Sequence, residues 1–258
     1  MKKILKNLKK HQFLFEELVK RDFNSKYKGT SLGMVWSLLS PLLSLLVMSL
    51  VFTQFFGRDT PHYTIYLFAG NLVYAYFKDS TNNGMTSLTA NSGIITKVNV
   101  PKYLFLLSKN VSCLFNFLLT LVIFFLFVII DKVAYSWTFV LIFYPIMCLL
   151  VFNLGVGLIL SAMYVFFKDI KYLYDIFTLL LHYLSAIFYT VDAYPEHIQQ
   201  LFMLNPVYTY IRYIRIVIID GTVPSLAHHL LCFGYAVLFF VIGCVIYKKN
   251  NYKFLYYM

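Results

Sequence analysis

Two arginines carry the clearest candidate chemistry in this sequence. Arg212 and Arg215 lie three residues apart within the apolar segment 207–219. A helix would present both on one face, and an unpaired charge among apolar neighbours at a membrane is expensive. Guanidinium groups bind carboxylates and phosphates through two parallel hydrogen bonds. The arginines therefore either pair with Asp192, Glu196 or a lipid phosphate, or they contact a phosphate-bearing substrate.

Other residue types that catalyse reactions or bind metals do not occur at the necessary spacing. His228 and His229 are adjacent, so a helix would point them in different directions, away from a common metal. Gly155 and Gly157 lack the third glycine of a nucleotide-binding loop. The four cysteines all lie within apolar runs, at Cys113, Cys148, Cys232 and Cys244. We expect them to be small buried hydrophobes, and we expect no catalytic residue, metal or cofactor in this chain.

The composition indicates which kind of element must position these residues. Of the 258 residues, 60% are hydrophobic and 13% are charged. Soluble proteins carry about 25% charged residues, so this chain lacks the polar surface that would keep it in solution. Inside a bilayer only helices and closed barrels satisfy the backbone. Because the apolar runs are continuous rather than alternating, the sequence predicts an all-α membrane protein.

Six apolar runs are candidates for transmembrane helices. They cover Gly33–Phe56, Tyr63–Phe77, Leu104–Ile130, Trp137–Phe167, Tyr172–Tyr189 and Ala227–Tyr247. The second is short and continues into the polar, helix-compatible stretch 79–91, so its inner half should line protein or water. The fourth is overlong, which indicates a tilt or a bend at Pro145. Gly155, Gly157 and Ser161 should let a neighbouring helix approach it closely.

The basic residues predict the orientation. The net charge is +11, and nine of the 22 basic residues lie in the first 28 positions. With the N-terminus inside, eighteen lysines and arginines lie on the inner side of the six spans and four on the outer side. Positive charge accumulates on the cytoplasmic side of membrane proteins. We therefore expect a multi-pass protein of the cell (inner, cytoplasmic) membrane with both termini in the cytoplasm, and no nucleic-acid partner.

Two segments do not fit simple spans. Residues 1–30 place apolar side chains at helical spacing among lysines, which is typical of an amphipathic helix lying at the inner membrane interface. Residues 191–225 contain Pro195 and the break at Asn205-Pro206. This outer segment fits a re-entrant or interfacial helical hairpin, and an ordinary outer loop helix is the alternative. Residues 31–258 would then form a single domain of six transmembrane helices.

The charges near the spans argue against an ion-coupled carrier. Asp79, Lys109, Asp169 and Asp175 lie near the inner ends of spans, where they reach water at little cost. Such carriers usually bury a carboxylate near mid-span and contain an internal repeat. The sequence shows neither feature, which weakens this interpretation.

Several motifs, taken in order, resemble a known family. They are Arg21-Asp22-Phe23, Lys26 to Gly33, Trp36 to Pro41, Asn91 to Pro101, Phe167 to Ile170, and Asn205-Pro206 followed by Arg212 and Arg215. Together they resemble the permease subunit of polysaccharide-exporting ABC transporters, those for O-antigen, capsule and teichoic acid. The likeness covers nearly the whole chain. Where the family usually has Phe-Pro-Arg this chain has Val100-Pro101-Lys102, which keeps the charge.

The resemblance implies partners and a substrate. The permease would be a homodimer bound to two separate ABC ATPase subunits, which carry ATP and magnesium. It would export a lipid-linked polysaccharide or polyol-phosphate polymer to the outer side of the membrane. The polar stretch 91–102 is the longest inner connection, and we expect a short helix there that docks on the ATPase with the turn after the fourth span. The expected ATPase contacts are Asn91, Ile94, Lys97, Pro101, Lys102, Lys168 and Asp169.

On the substrate side, Arg212 and Arg215 would guide the phosphate or pyrophosphate of the polymer. The sugar chain would then slide along aromatic residues facing the dimer channel, namely Tyr74, Tyr76 and Phe77. Aromatic faces suit sugar rings, although lipid-facing and interfacial positions explain aromatic residues equally well. Two other functions stay open: a secondary carrier or flippase without an ATPase, and a membrane-embedded acyl- or glycosyltransferase.

Overall fold

The computed structural model describes residues 10–25, 29–56, 61–192 and 194–257, and this part of the chain contains helices and no strand. The all-α prediction is confirmed. Lys26 to Lys28 of the second motif, and residues 1–9 of the amphipathic segment, lie outside the described residues. The helices are α1 Gln12–Ser25, α2 Trp36–Phe56, α3 Tyr63–Thr86, α4 Ser92–Ile95, α5 Tyr103–Ile130, α6 Phe143–Phe166, α7 Ile170–Leu184, α8 Glu196–Phe202, α9 Pro206–Ile218, α10 Leu226–Asn250 and α11 Phe254–Tyr257.

Four segments of the described chain are long and apolar enough to cross a membrane. They are Trp36–Thr53, Tyr103–Ile130, Trp137–Phe166 and Leu226–Asn250. The third combines a 3-10 helix, Trp137–Ile142, with α6. Pro145 lies in the first turn of α6, where its missing N–H removes no helical hydrogen bond. The change from 3-10 to α-helix occurs before Pro145, between Ile142 and Phe143. Serine caps start two of these segments: the Oγ atoms of Ser136 and Ser225 accept hydrogen bonds from the next helix turn.

The second and fifth expected spans have different outcomes in the structure. α3 continues through the polar stretch to Thr86, so the expected helical tail is confirmed. α7 ends at Leu184, five residues before the expected Tyr189, and two residues later the backbone at Ala186 adopts the left-handed region, with a φ of 47°. Its 15 residues extend about 22 Å, less than the ~30 Å of a bilayer core. The expected fifth span is therefore helical only as far as Leu184.

α3 lies at the centre of the bundle. Nearly every side chain from Tyr63 to Phe77 is buried, and Ile65, Leu67, Phe68 and Val73 are fully enclosed. They pack against residues of α5, α6 and α9 in one apolar cluster. Because protein surrounds α3, its polar residues need not face lipid, which explains why hydropathy alone does not mark this helix as a span.

Segment 191–225 contains α8 and α9 as a helical hairpin, and α9 packs within the bundle. Ten of the thirteen residues of α9 are buried. The hydroxyl of Tyr210 donates to the carbonyl of Cys232 at 2.8 Å, and that of Tyr235 donates to the carbonyl of Met203 at 2.9 Å. The tip of the hairpin, at Met203, thus lies level with Tyr235, about 14 Å along α10 from its start.

Glycines allow three helices to meet closely, as the sequence predicts. A Cβ atom on Gly155 of α6 would lie 2.5 Å from the backbone of Phe239 and Phe240 in α10. On the neighbouring face, a Cβ on Gly84 of α3 would lie 3.2 Å from the Cα of Gly157. Helices at membrane depth associate through close van der Waals packing of this kind.

One end of the bundle gathers both ends of the described chain. A second apolar cluster joins Leu18 of α1, Ile95 of α4, Val165 of α6 and Phe254 of α11. We call this the α1 end. The opposite end carries α8 and the connection from α9 to α10, and we call it the α9 end.

Candidate functional site

The residues expected to contact an ATPase lie at the α1 end. The expected short helix is present as α4, Ser92–Ile95. Lys97 follows α4 and is exposed, and Ile94 is half-buried. Lys168 and Asp169 are exposed in the turn between α6 and α7, at this same end. These residues form a surface that a partner can reach.

Asn91 and Lys102 form hydrogen bonds within the chain. Asn91 is only 2% exposed. Pro101 and Lys102 are half-buried, and the Nζ of Lys102 donates to the carbonyl of Asn251 and lies 5.7 Å from the Phe254 ring centroid. Burial also lowers the pKa of Lys102. Lys102 therefore attaches the C-terminal segment to the start of α5, a role that its position in a basic loop does not reveal.

Arg21 joins α1 to this surface. Its Nη2 donates to Oδ1 of Asn91 at 2.8 Å, and Asn91 in turn donates to the carbonyl of Ser87 at 2.7 Å. The same guanidinium binds Asp22, whose carboxylate also accepts from Lys109 of α5 at 3.0 Å. We call the Arg21–Asn91 contact the α1 clamp. It makes the position of α1 depend on the segment that leads into α4.

Breaking the α1 clamp should be measurable by a double-mutant cycle. We expect Arg21→Ala and Asn91→Ala to be non-additive by about 1 kcal/mol in thermal or denaturant unfolding in detergent, since the hydrogen bond is charge-assisted but half-exposed. The exposed pair Lys20–Glu17, 3.1 Å apart, is the control and should couple by less than about 0.5 kcal/mol. Additive Arg21 and Asn91 effects would show that the contact does not hold α1.

Arg215 is buried at the α9 end. Its side chain is 1% exposed, and the guanidinium carbon lies 3.3 Å from the ring centroid of Tyr66. The guanidinium donates to the carbonyls of Tyr66 at 3.1 and 3.2 Å, of Ala186 at 2.9 Å and of Ile187 at 3.2 Å. Gly70 leaves the space, because a Cβ there would lie 2.8 Å from Nη2 of Arg215.

Arg215 belongs to a set of side chains that satisfies the broken end of α7. The carbonyls of residues 184 and 186–189 have left regular helix, and each accepts a side-chain hydrogen bond. The donors are Asn205 to Leu184, Arg215 to Ala186 and Ile187, Tyr63 to Phe188, and Tyr66 to Tyr189. Irregular backbone at membrane depth is tolerated only where protein groups satisfy it in this way.

Arg212 has a different environment from Arg215. Its Nη2 lies 3.2 Å from the carboxylate of Asp192, one of the partners expected from the sequence. The two side chains remain 27% and 59% exposed, so this ion pair is open to solvent or to a ligand. The structure therefore separates the two arginines, since Arg215 is enclosed and Arg212 is accessible.

The three aromatic residues expected along a channel are buried within the chain. Tyr74 donates to the carbonyl of Thr178 in α7, Tyr76 packs 4.7 Å from Phe117 of α5, and Phe77 packs 5.9 Å from Phe152 of α6 (ring centroids). Each is 5% exposed or less. Tyr76 also borders a small cavity between α2, α3 and α5. The residues that α3 leaves exposed are Ala75, Lys78, Asp79 and Asn83.

Sequence reasoning missed the side chains that, together with Arg215, satisfy the carbonyls at the broken end of α7. Tyr63 and Tyr66 were absent from the expected sites, as was the amide of Asn205, which also caps α9 by accepting from the N–H groups of Val207 and Tyr208. Two sequence patterns could have pointed to these side chains. One is the i, i+3 spacing of Tyr63 and Tyr66 at the start of an apolar run, and the other is the asparagine before Pro206. Neither pattern reveals the contacts, which span more than 120 residues for the two tyrosines and 21 residues for Asn205.

Comparison with known proteins shows similarity over most of the chain. A sequence model described as ABC-2 type transporter matches residues 14–219. The O-antigen export system permease protein RfbA of Klebsiella pneumoniae is 28% identical over 249 residues, 94% of this chain and 95% of that protein. Its namesake from Myxococcus xanthus is 27% identical over 80% of both chains. The polysialic acid transport protein KpsM of Escherichia coli is 20% identical over 92% of this chain and 93% of its own length.

Proposed function

Because this chain belongs to the ABC-2 type transporter family, we propose that it is the membrane permease subunit of an ATP-driven exporter of a lipid-linked polysaccharide. The observation that carries the proposal is the similarity to an O-antigen export permease across 94% of this chain. Such a permease moves polymer and leaves ATP hydrolysis, with its magnesium, to a separate subunit. The exposed surface at the α1 end is where that subunit would bind.

The proposed topology has six membrane-crossing segments, with both termini and the α1 end in the cytoplasm. α2, α5, the Trp137–Phe166 segment and α10 would cross as continuous apolar helices, and α3 would cross enclosed by protein. α7 would complete its crossing through the side-chain-bonded segment 185–189, with the α8–α9 hairpin re-entering from outside. The bias of basic residues toward the α1 end supports this orientation.

Cysteine labelling tests the topology. Single cysteines at Lys132 and Glu196 should react with an impermeant thiol reagent added to intact cells, whereas one at Asn99 should react only after the membrane is permeabilised. Asp59, a further outer position by sequence, lies outside the described residues. Labelling of Asn99→Cys from outside would contradict the orientation.

A homodimer follows from the size of the cargo. The core of one chain is filled by buried side chains, so a polymer needs a passage between two copies. In this proposal the accessible Arg212 is the residue that guides a phosphate at the outer exit, and Arg215 holds the surrounding backbone. Asp192 would hold Arg212 until a phosphate replaces it.

Coupling would run through α4. Lys97 is exposed directly after α4, and the α1 clamp links the same segment to α1. A partner that moves α4 would therefore move α1 as well. Lys168 and Asp169, exposed beside this surface, would contact the same ATPase.

Reversing the charge of Lys97 should impair coupling. We expect Lys97→Glu to reduce co-purification of the ATPase, or export at matched protein level, by about tenfold, since buried charge contacts at interfaces are worth about 1.5 kcal/mol or more. Lys102 is unsuitable for this test because it is bonded within the fold. Lys132→Glu, the same reversal at the α9 end, is the control and should behave like wild type. Normal export by Lys97→Glu would remove this residue from the interface.

Deleting the gene in its host tests the function itself. We expect surface polysaccharide to disappear, lipid-linked polymer to accumulate inside the cell, and re-expression to restore export. Replacing the phosphate-binding lysine of the partner ATPase should have the same effect. Export that persists without ATPase activity would favour a secondary carrier or flippase. A block in polymer synthesis, with no intracellular accumulation, would favour a membrane-embedded transferase.

A further inference from the structure

A polar crevice opens between α1, α2, α3 and α5, toward the α1 end. It comprises two adjoining cavities of about 300 Å³ and about 220 Å³, which share Asp79, Cys113 and Asn116 in their walls. The larger lies beneath α1, and the smaller extends along α2 as far as Thr120 of α5. Binding sites for small organic molecules begin at about 300 Å³, so the larger cavity alone can accept one sugar-sized group.

The crevice is polar because of regularly spaced residues on otherwise apolar helices. α3 contributes Asn71, Asp79 and Asn83, and α5 contributes Ser112 and Asn116, in each case on the helix face that borders the cavities. Residues three or four apart share one face of a helix. Polar side chains at membrane depth are costly and are retained mainly where they contact a substrate or water.

The wall of the larger cavity also includes a residue with a buried hydrogen-bond acceptor that has no partner among the described residues. Oδ1 of Asp22 accepts from Arg21 at 2.8 Å and lies 3.0 Å from Lys109, but Oδ2 has no partner among the described residues. The Asp22 side chain is 4% exposed and forms part of the wall of the larger cavity. A buried acceptor without a partner is destabilising, so a hydroxyl donor placed in this cavity would be bound favourably.

The mixture of groups selects the chemistry of the ligand. Two carboxylates and a single ammonium line the larger cavity, so an anion such as phosphate would be repelled. Amide, hydroxyl and carboxylate groups alternate as donors and acceptors, which matches neighbouring hydroxyls on a ring. In the adjoining cavity, Tyr76 and Phe117 provide an aromatic wall against which the apolar face of a sugar can pack.

We propose that this crevice, lined by Asp22, Asp79, Asn83 and Asn116, binds one uncharged sugar unit of the exported polymer from the cytoplasmic side. The proposal rests on the proposed export function and adds a recognition site to it. Because Arg21 binds both Asp22 and Asn91, a sugar at Asp22 would act on the residue that leads into α4. Occupancy of the crevice would therefore stimulate the attached ATPase.

The test uses the purified permease–ATPase complex in lipid nanodiscs and lipid-linked polymer isolated from the deletion strain. The measured quantity is the polymer concentration that gives half-maximal stimulation of ATP hydrolysis. We expect Asn83→Leu combined with Asn116→Leu to raise it at least about tenfold, through two lost hydrogen bonds. Ala75→Trp, which fills the smaller cavity without removing a polar group, should raise it similarly. Asn82→Leu, the same exchange outside the crevice, should leave it unchanged.

Three results would overturn the proposal. The first is a half-maximal concentration within twofold of wild type for both the double variant and Ala75→Trp, with normal export, which would leave the export function intact. The second is full stimulation by a polyprenyl pyrophosphate lacking sugar, lost in the same variants, which would assign the crevice to a lipid phosphate. The third is continued surface display of polymer in the deletion strain, which would refute the export function together with the site.

Discussion

Replacing Arg215 with methionine should abolish export and destabilise the protein by about 3–5 kcal/mol. Methionine fits an apolar site, but it would remove the hydrogen bonds that the guanidinium donates to the carbonyls of Tyr66, Ala186 and Ile187, and Ile187 would lose its side-chain donor. Since domains are stable by only about 5–15 kcal/mol, most of the margin would be lost. The expected signs are a lower unfolding temperature in detergent and loss of surface polymer.

Two further variants separate the role of Arg215 from a general effect of charge. Arg215→Lys keeps the charge but not the planar fork of donors, so we expect intermediate stability and export. Arg212→Met removes the neighbouring guanidinium, which has one half-exposed ion pair, and should change stability by less than about 1 kcal/mol. Equal stability of Arg215→Met and Arg212→Met would show that the buried hydrogen bonds of Arg215 do not stabilise the irregular segment after α7.

Gly155→Leu should prevent the close approach of α6 and α10 and cost about 3 kcal/mol or more. Even a Cβ at this position would lie 2.5 Å from backbone atoms of α10, which cannot rotate away as a side chain can. The two helices would have to separate along their contact, and Gly243, which faces Gly155, would lose its packing as well. Size-exclusion chromatography should show loss of the monodisperse folded peak.

Gly234 provides the matched control for Gly155. It lies in α10, but no atom of a packed neighbour among the described residues is found within 4 Å of a Cβ placed there. Both exchanges remove a flexible glycine from a helix, so their difference reports packing rather than helix propensity. Gly234→Leu should retain the folded peak and its unfolding temperature. If Gly155→Leu did the same, α6 and α10 would not be in the contact described.

The four segments that hydropathy identified are each apolar over at least 18 residues. This holds both for Trp36–Thr53 and Leu226–Asn250, which bury 11% and 22% of their residues within the chain, and for Tyr103–Ile130 and Trp137–Phe166, which bury 33% and 44%. α3 and α7 contain no such run, for different reasons. The first half of α3 is enclosed by protein, and its second half carries the exposed polar residues Lys78, Asp79 and Asn83 toward the α1 end. α7 can end at Leu184 because side chains distant in sequence donate hydrogen bonds to the carbonyls of residues 186–189. No local sequence pattern predicts these donors.

The predicted sites divide in the same way. Lys97, Lys168 and Asp169 are exposed, as an interface at the α1 end requires. Their exposure could be predicted because charged residues in a short turn are usually solvated. Asn91 and Lys102, from the same loop, instead hold α1 and α11. The pairing of Arg212 with Asp192 was among the sequence-based alternatives, whereas the enclosure of Arg215 was not.

The amino-acid sequence alone determined that this is a membrane protein, that it is helical, and which family of transport proteins it resembles. Its apolar runs require a bilayer, a bilayer requires helices, and the ordered motifs resemble polysaccharide-exporting permeases. Only the tertiary structure decided how the polar residues are used. Burial of Arg215, breakage of α7 and alignment of the polar crevice each depend on atoms far apart in sequence, because hydrogen bonds and steric contact act over about 3–4 Å in space regardless of separation along the chain.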